Sequence, residues 1–423
     1  MLATLLQPTG QVQFDARGYW GAAGSLLGSP DPVPAGFWEL RGVLSAVVYL
    51  PAQTLARATG PAGVGFAILL QNALLIGVIA AVVAPALMRP WGPPGPAARW
   101  AAATGVVIAA RGFAPYALVD LYAAAGLLTA LTLLTKRNTT ALLLSGASLG
   151  AAFNIRPAYL VPVLLIGIVA VVYHRARAAF VALGALAALV PQMLLVALTQ
   201  HALSLTPAGG DDLVRLQANY AAFTVRYDTA IMSQQPQQFF CSPAMAAAID
   251  SPPSSLVELV GDFLRHLPQS GVFAVEKLGA ALHWPLSIPY LVPDPRVDAV
   301  FALTITGISV VGCAALIAMR TSRGAEVSRA AVTVAAIGTA GTLMSAATEA
   351  RFALSLVLLG AVGVGAVIQR LPRREGGNRG RCRIVAAATL TATILLLTAG
   401  WSGLSHPAPP GPVSLEMCAQ VGR

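Results

Sequence analysis

The stretch "VPVLLIGIVAVVYHRARAAFVALGALAALV", residues 161–190, decides the fold class. Two long apolar runs flank a short cationic connection, "HRAR" at 174–177. A helix needs about 20 predominantly apolar residues to cross a bilayer, and positive charge marks the cytoplasmic ends of spans. The pattern therefore predicts two membrane-spanning helices, 157–173 and 178–200, joined on the cytoplasmic side.

The same reading over the whole chain predicts ten spans in an all-α polytopic membrane protein. The predicted spans are 63–88, 99–112, 114–135, 139–154, 157–173, 178–200, 299–319, 329–346, 350–368 and 384–403. They form two groups, one within 63–200 and one within 299–403. The second and fourth predicted spans are short. With an incomplete first helix near residues 1–10 counted, we expect about 10–11 spans.

Composition supports this class and excludes nucleic-acid binding. Of the 423 residues, 56% are hydrophobic and 10% are charged, whereas a soluble domain has about 25% charged residues. The net charge of +10 comes mainly from arginines, which we interpret as topology signals in loops. The abundance of Ala, Gly and Pro indicates a bacterial genome, and hence a bacterial inner membrane.

Cationic connections fix the predicted orientation, because they fall on alternate loops. They are "RPWGPPGPAAR" at 89–99, "KR" at 136–137, "HRAR" at 174–177, "RTSRGAEVSR" at 320–329 and "RLPRREGGNRGRCR" at 370–383. The positive-inside rule makes this side cytoplasmic. Segments 1–62, 201–298 and 404–423 are then predicted to lie outside.

The three outer segments carry further expectations. Residues 1–10 are too short to cross, so either the first helix is nearly absent or the natural chain starts upstream, and we expect the latter. Segment 41–58 predicts a helix lying in the outer interface, and 201–298 predicts a small helical subdomain. Cys241 and Cys418 are the two cysteines predicted outside, which makes them the one available bridge there.

Ionisable residues gather in the predicted outer connections and at the outer helix ends. The arginines are Arg17, Arg41, Arg111, Arg156 and Arg351, and the acids are Asp15, Glu39, Asp120 and Glu349. Such groups are costly at membrane depth and often mark a site. A carboxylate can accept a proton from a nucleophile, and a guanidinium can bind phosphate through paired hydrogen bonds. Salt bridging at helix ends remains the structural alternative.

The order of these motifs resembles a known family. It consists of an acid in the first outer loop ("QFDARGYW", 13–20), an interfacial helix, "PYALVD" at 115–120, "RP" at 156–157 and "EARF" at 349–352. This order is similar to that of the GT-C superfamily of polyprenyl-phosphate-sugar-dependent glycosyltransferases. The likeness includes the protein O-mannosyltransferase and aminoarabinose transferase branch and the actinobacterial mannosyl- and arabinosyltransferases.

The resemblance implies an inverting sugar transfer at the outer face of the membrane. It makes Asp15 the catalytic base, Arg351 a donor-phosphate ligand together with Arg156 and Arg111, and Asp120 a second acid alongside Glu349. Tyr19, Trp20, Glu39 and Arg41 become candidate sugar or acceptor contacts. The donor would be a polyprenyl-phosphate-linked mannose or arabinofuranose, and the acceptor a glycan, lipid or protein hydroxyl. The family often has two adjacent acids where this chain has "DAR", and this departure argues against a metal-binding role for the loop. A divalent metal ion stays open as a cofactor.

Two other classes compete with the enzyme. A lipid-linked sugar flippase would also need charges near the membrane, but in mid-helix and with broken helices. An inactive scaffold would use 201–298 to bind a partner. Other chemistries lack their motifs, since there is no HExxH, Walker A loop or G-x-S-x-G, and the five His are scattered. The glycines of "GAVGVGA" at 360–366 predict close helix packing.

Overall fold

The computed structural model describes most of the chain. The described residues are 12, 15–29, 33–207, 209, 223–227, 238–246, 248, 253, 255–283, 299–322, 325–344, 349–370, 379–408 and 418. Residues 1–10 and residues 210–222 of the predicted subdomain lie outside this set.

The N-terminal part begins with short helices and continues into longer apolar ones. The short helices are α1 Asp15–Leu26, α2 Phe37–Leu40, α3 Leu44–Val47 and α4 Leu50–Thr59. The apolar helices are α5 Val64–Val78, α6 Ala84–Met88, α7 Pro96–Ala110, α8 Asp120–Leu134, α9 Thr139–Ile155, α10 Leu160–His174 and α11 Ala178–Gln200. A π turn, Ile79–Val83, joins α5 to α6 as one continuous helical stretch.

The C-terminal part contains a small sheet and further helices. The strands are β1 Phe223–Tyr227 and β2 Gln238–Cys241. The helices are α12 Pro243–Ala246, α13 Leu256–Arg265, α14 Leu267–His283, α15 Ala299–Ala318, α16 Glu326–Met344, α17 Leu354–Arg370 and α18 Arg379–Gly403. A 3₁₀ turn, Ala350–Ala353, leads into α17.

Six helical stretches of the described chain are long and apolar enough to cross a membrane. They are Pro61–Trp91, Pro157–Gln200, Ala299–Ala318, Glu326–Met344, Arg351–Arg370 and Ala386–Gly403. Two shorter apolar helices, Asp120–Leu134 and Thr139–Ile155, join them. The class of all-α membrane protein is thus confirmed. Each predicted span contains an α-helix, but the span predicted at 114–135 is helical only over Asp120–Leu134, because residues 114–119 form turns and irregular backbone. Helix α7 is only 15 residues long, and 157–200 forms one stretch with a turn inside it.

Glycine contacts bring several of these helices together. An added Cβ at Gly363 of α17 would overlap the backbone of Gly312 in α15, and one at Gly146 of α9 would overlap the Val181 carbonyl at the start of α11. Small residues let helix backbones approach closely where no hydrophobic effect drives association. The prediction of close packing for 360–366 is confirmed.

The predicted interfacial segment 41–58 is not one helix. It is divided into α3 and α4, and Pro51 stands in the first turn of α4, where its missing N–H costs nothing. The ten residues of α4 span about 15 Å, too short for a crossing. The Gln71 side chain accepts from the Ala52 amide and donates to the Val48 carbonyl, which fastens the segment to α5.

The segment 201–298 differs from the helical subdomain that we predicted, because it includes an antiparallel hairpin. In it β1 pairs with β2, and Phe223 faces Cys241. The tail lies beside β2, since Cys241 N donates to the His406 carbonyl and Ala408 N donates to the Phe239 carbonyl. The bond between Cys241 and Cys418 closes this arrangement, with 5.3 Å between the Cα atoms, and confirms the predicted bridge.

Candidate functional site

Asp15, Glu349 and Arg351 meet at one end of the helix bundle, although they come from opposite ends of the chain. Nη2 of Arg351 donates to Oδ2 of Asp15 at 2.8 Å and to Oε1 of Glu349 at 2.9 Å. Nε of Arg351 is 2.5 Å from the second Glu349 oxygen, so Glu349 binds the guanidinium through both oxygens. The Arg351 side chain is 3% exposed and that of Asp15 is 30% exposed, so the pair opens toward solvent on the Asp15 side.

Helix geometry explains why Asp15 lies here. It stands in the first turn of α1, where a carboxylate is favoured by the helix dipole. Buried residues behind it fix the helix, with the Tyr19 ring packed edge-on against Phe37 at 5.8 Å between centroids. The carboxylate is therefore presented by a rigid element.

Arg41 approaches Asp15 from the other side. Its Nη2 lies 3.6 Å from Oδ1 of Asp15. The backbone just after Arg41 is held by two amide side chains of the membrane helices: Val43 N donates to Gln192 Oε1 and Leu44 N donates to Asn154 Oδ1. These amides satisfy two of the N–H groups that the start of α3 leaves without intrahelical partners.

A second ion pair lies deeper. Nη1 of Arg156 is 2.9 Å from Oδ1 of Asp120, and the Asp120 side chain has no exposed surface. Asp120 begins α8 and Arg156 follows the last residue of α9, so two neighbouring helix ends supply the pair.

Phe352 connects the two ion pairs. The guanidinium carbon of Arg156 is 4.3 Å from the centroid of this ring, and that of Arg351 is 5.8 Å from it. An aromatic face attracts cations. The ring is thus attracted to both guanidiniums and helps to hold these two like charges near each other.

The six charged side chains balance one another. Three guanidiniums, from Arg41, Arg156 and Arg351, face three carboxylates, from Asp15, Asp120 and Glu349. We call these six residues the charge cluster.

Not every polar atom of the charge cluster is satisfied by these pairs. Among the described residues, Asp120 Oδ2, Arg156 Nε and Arg351 Nη1 are buried without a hydrogen-bond partner. A cavity of about 10 Å³ lies beside Arg156, which lines it together with Tyr159, Phe352 and other residues. That volume is at the lower limit for one water molecule.

The charge cluster keeps Asp15 ionised. Burial alone would raise the pKa of this carboxyl, but the nearby charges of Arg351, Arg41 and Arg156 outweigh burial and hold the pKa well below its ordinary range. Burial raises the pKa of the neighbouring Tyr19 hydroxyl, so that side chain stays neutral. Asp15 is therefore a carboxylate at neutral pH and can accept a proton.

The remaining predicted site residues lie elsewhere or have other contacts. Arg111 has its guanidinium carbon 5.9 Å from the ring of Phe301, at the start of α15. Trp20 is buried edge-on against Tyr49, and its carbonyl accepts from Gln53. Tyr19 is buried as well, so neither ring offers a free face for a sugar.

Glu39 is exposed, and its backbone carbonyl accepts from Gly209 N at 2.7 Å. Its predicted contact with a sugar or acceptor stays a prediction.

Sequence reasoning missed three residues that organise the site. Phe352 stood inside the quoted "EARF" motif, and Asn154 directly preceded "IRP". Gln192 is an amide within the apolar run 178–200. This position could have predicted its role, because a buried amide needs a hydrogen-bond partner. Its Oε1 accepts from the Asn154 side chain as well as from the Val43 backbone.

A divalent metal ion does not fit the charge cluster as it stands. Each of its carboxylates is bound to a guanidinium, and no three His, Cys, Asp or Glu side chains of the described chain are grouped to hold a cation.

Comparison with known proteins yields no relative. The chain matches no family model, no curated protein and no solved structure.

Proposed function

We propose that this chain is an inverting glycosyltransferase of the GT-C type. It would move a sugar, mannose or arabinofuranose, from a polyprenyl-phosphate donor to a hydroxyl of a cell-envelope glycan, lipid or protein. The observation that carries the proposal is the contact between Asp15 and Arg351, which places a carboxylate and a guanidinium, a group suited to binding phosphate, in one partly open site. Arg351 begins a stretch that is long and apolar enough to cross a membrane, Arg351–Arg370, and a lipid-linked phosphate would reside at such an end.

The reaction would be a single displacement. The acceptor oxygen attacks the anomeric carbon, the bond from that carbon to the phosphate oxygen breaks, and the hydroxyl proton passes to Asp15. The polyprenyl phosphate leaves with the electron pair of the broken bond. A guanidinium aimed at that phosphate stabilises the charge developing on it, and removing one such donor typically costs about 10²–10³ in rate.

The Asp15–Arg351 ion pair implies that the donor binds before Asp15 acts as the base. Arg351 is bound by two carboxylates before any ligand arrives. A donor phosphate would displace the Asp15 carboxylate, because Glu349 holds Arg351 more tightly through two oxygens. Once Asp15 loses its nearest cation its pKa rises, and it becomes a stronger base at the moment when the donor is bound.

We propose that the charge cluster faces the extracytoplasmic side. Arginine-rich connections occur at the opposite helix ends, where the Ser322 amide donates to the Pro90 carbonyl and Arg177 donates to the Arg137 carbonyl. Positive loops are retained in the cytoplasm.

A lipid-linked sugar transporter is the second candidate, and the Asp120–Arg156 pair favours it. This ion pair is enclosed by the helices, as charges on a transport path often are.

One reconstitution separates the two candidates. Purified protein in proteoliposomes is given labelled polyprenyl-phosphate mannose or arabinofuranose, and both sugar release or transfer and movement across the bilayer are measured. We expect sugar turnover that the Asp15→Asn variant lacks. Movement without turnover would identify a transporter, and neither activity with either sugar would contradict both candidates.

A further inference from the structure

Helix α13 has an amphipathic pattern that the protein itself covers only in part. It starts at the N-cap Ser255, whose hydroxyl accepts from the Glu258 amide at 3.2 Å. Glu258, Asp262 and Arg265 occupy one side of this helix, and the other side is apolar. At 100° per residue, these three charged side chains fall within an arc of about 60°.

The apolar side is wider than the surface that packs on it. Leu259 is buried, and Phe263 contacts Met245 and Phe273 in a small hydrophobic cluster. Val257, Val260 and Leu264 lie on the rest of the apolar side and are 83%, 52% and 62% exposed. They also fall within an arc of about 60°, so they form one uncovered stripe.

Helix α13 lies beside the end of a helix that is long and apolar enough to cross the membrane. Its small hydrophobic cluster packs against Met344, the last residue of the membrane-spanning α16. Met344 precedes Glu349 by five residues, so α13 lies at the same end of the bundle as the charge cluster. The exposed side chains of Leu267 and Val272 extend the apolar surface along the start of α14.

We propose that α13 lies in the interfacial region of the bilayer leaflet nearest the charge cluster. Val257, Val260 and Leu264 insert among the acyl chains, and the exposed Glu258 and Arg265 remain in water. A helix with one charged and one apolar side lies in the plane of the interface in this way. The covered side of α13 belongs to a cluster that packs against the end of a helix long and apolar enough to cross the membrane, so the stripe lies near the bilayer surface, which favours lipid over a soluble partner as its occupant.

This contact has a consequence for the charge cluster. Helix α14 follows α13 after one residue and packs against the turn Ala350–Ala353, which carries Arg351. Lipid contact by α13 therefore sets the depth of that turn relative to the headgroups. The inference concerns membrane contact alone and does not depend on the proposed reaction.

Single-cysteine labelling tests the inference on the full chain. Val260→Cys, Leu264→Cys and, as the matched control on the charged side, Glu258→Cys are made in a Cys313→Ala, Cys382→Ala background. Each is labelled with an environment-sensitive fluorophore and reconstituted into vesicles of phosphatidylethanolamine and phosphatidylglycerol. Quenching by doxyl lipids reports lipid contact, and quenching by iodide reports water. All three positions are exposed, so the label does not disturb packing.

We expect labels at 260 and 264 to show blue-shifted emission, strong quenching by doxyl lipids and little quenching by iodide. The label at 258 should be quenched by iodide. Equal iodide quenching at all three positions would place the stripe in water and overturn the inference. Labels at 260 and 264 that neither quencher reaches would mean that protein covers the stripe, from a second copy or another partner, and would overturn it as well.

Discussion

The guanidinium of Arg351 donates to the carboxylate of Asp15 at 2.8 Å across a separation of 336 residues. The first described helix and the turn before α17 are thereby joined at a single ion pair. Arg351 is almost fully enclosed and is also held by Glu349, so the less enclosed Asp15 is the partner that can change its contact.

Asp15→Asn should keep the fold and abolish sugar transfer. An amide cannot accept the acceptor proton, and general-base catalysis contributes about 10²–10⁴-fold. Transfer from labelled donor is measured together with thermal unfolding. Asp262→Asn, which changes an acid paired with Arg265 away from the charge cluster, should leave transfer unchanged. An Asp15→Asn variant that retains more than about a tenth of the rate would remove Asp15 from the role of base.

Arg351→Lys should weaken use of the donor, because a single ammonium replaces the planar fork that binds phosphate and Glu349. Steady-state kinetics with varied donor should show a higher KM, a lower kcat or both. Arg111→Lys is the matched control, since Arg111 packs against Phe301 instead of joining the charge cluster. Equal kinetics in the two variants would return Arg351 to a structural role.

Asp120→Asn should act mainly on stability. It leaves Arg156 without its counter-charge in an enclosed place, and breaking a buried ion pair typically costs about 3–5 kcal/mol. Denaturant unfolding in detergent, compared with Asp15→Asn, measures the difference. If Asp120→Asn unfolds like the parent protein but loses transfer, Asp120 belongs to the reaction instead.

The pH dependence should follow the lowered pKa of Asp15. Its ionised form stabilises the fold fully above the unfolded pKa of about 3.9, and that contribution is lost as pH falls through the lower folded pKa. Hence kcat/KM should show no loss from Asp15 protonation above about pH 5.

Arg41→Gln removes one of the cations that lower this pKa, so its activity should begin to fall at a higher pH than in the parent protein. Arg17→Gln, an exposed change in the same helix as Asp15, is the control. Coinciding pH–rate profiles for Arg41→Gln and the parent would mean that the charge of Arg41 does not lower the pKa of Asp15.

Gly42→Ala should destabilise the site more than an ordinary glycine substitution. An added Cβ would overlap the backbone carbonyl of Asn154, whose side chain holds Leu44. Overpacking costs about 1–3 kcal/mol, and the shift would move Arg41 away from Asp15. Thermal unfolding is compared with Gly77→Ala, where nothing lies within 4 Å of the new methyl group. Similar unfolding of the two variants would mean that α3 can shift without cost.

Much of the fold could be predicted from the chain because its signals are local. Apolar runs and arginine-rich connections mark spans without reference to any partner, and each predicted span contains an α-helix. The glycines of 360–366 predicted close packing, and a count of the cysteines predicted outside identified Cys241 and Cys418. The hairpin of β1 and β2 was missed, because pairing between strands depends on segments that are not adjacent in sequence.

The site itself was only partly predictable. The sequence by itself placed Asp15 in an outer loop and Asp120, Arg156, Glu349 and Arg351 at outer turns and helix ends, since charged side chains avoid the apolar interior. Only the tertiary structure decided that Arg351 binds Asp15 and Glu349, that Arg156 binds Asp120, and that Arg111 lies apart against Phe301. The physical reason is that composition and periodicity fix the depth of a residue along its helix, whereas its neighbours depend on how the helices pack around one another.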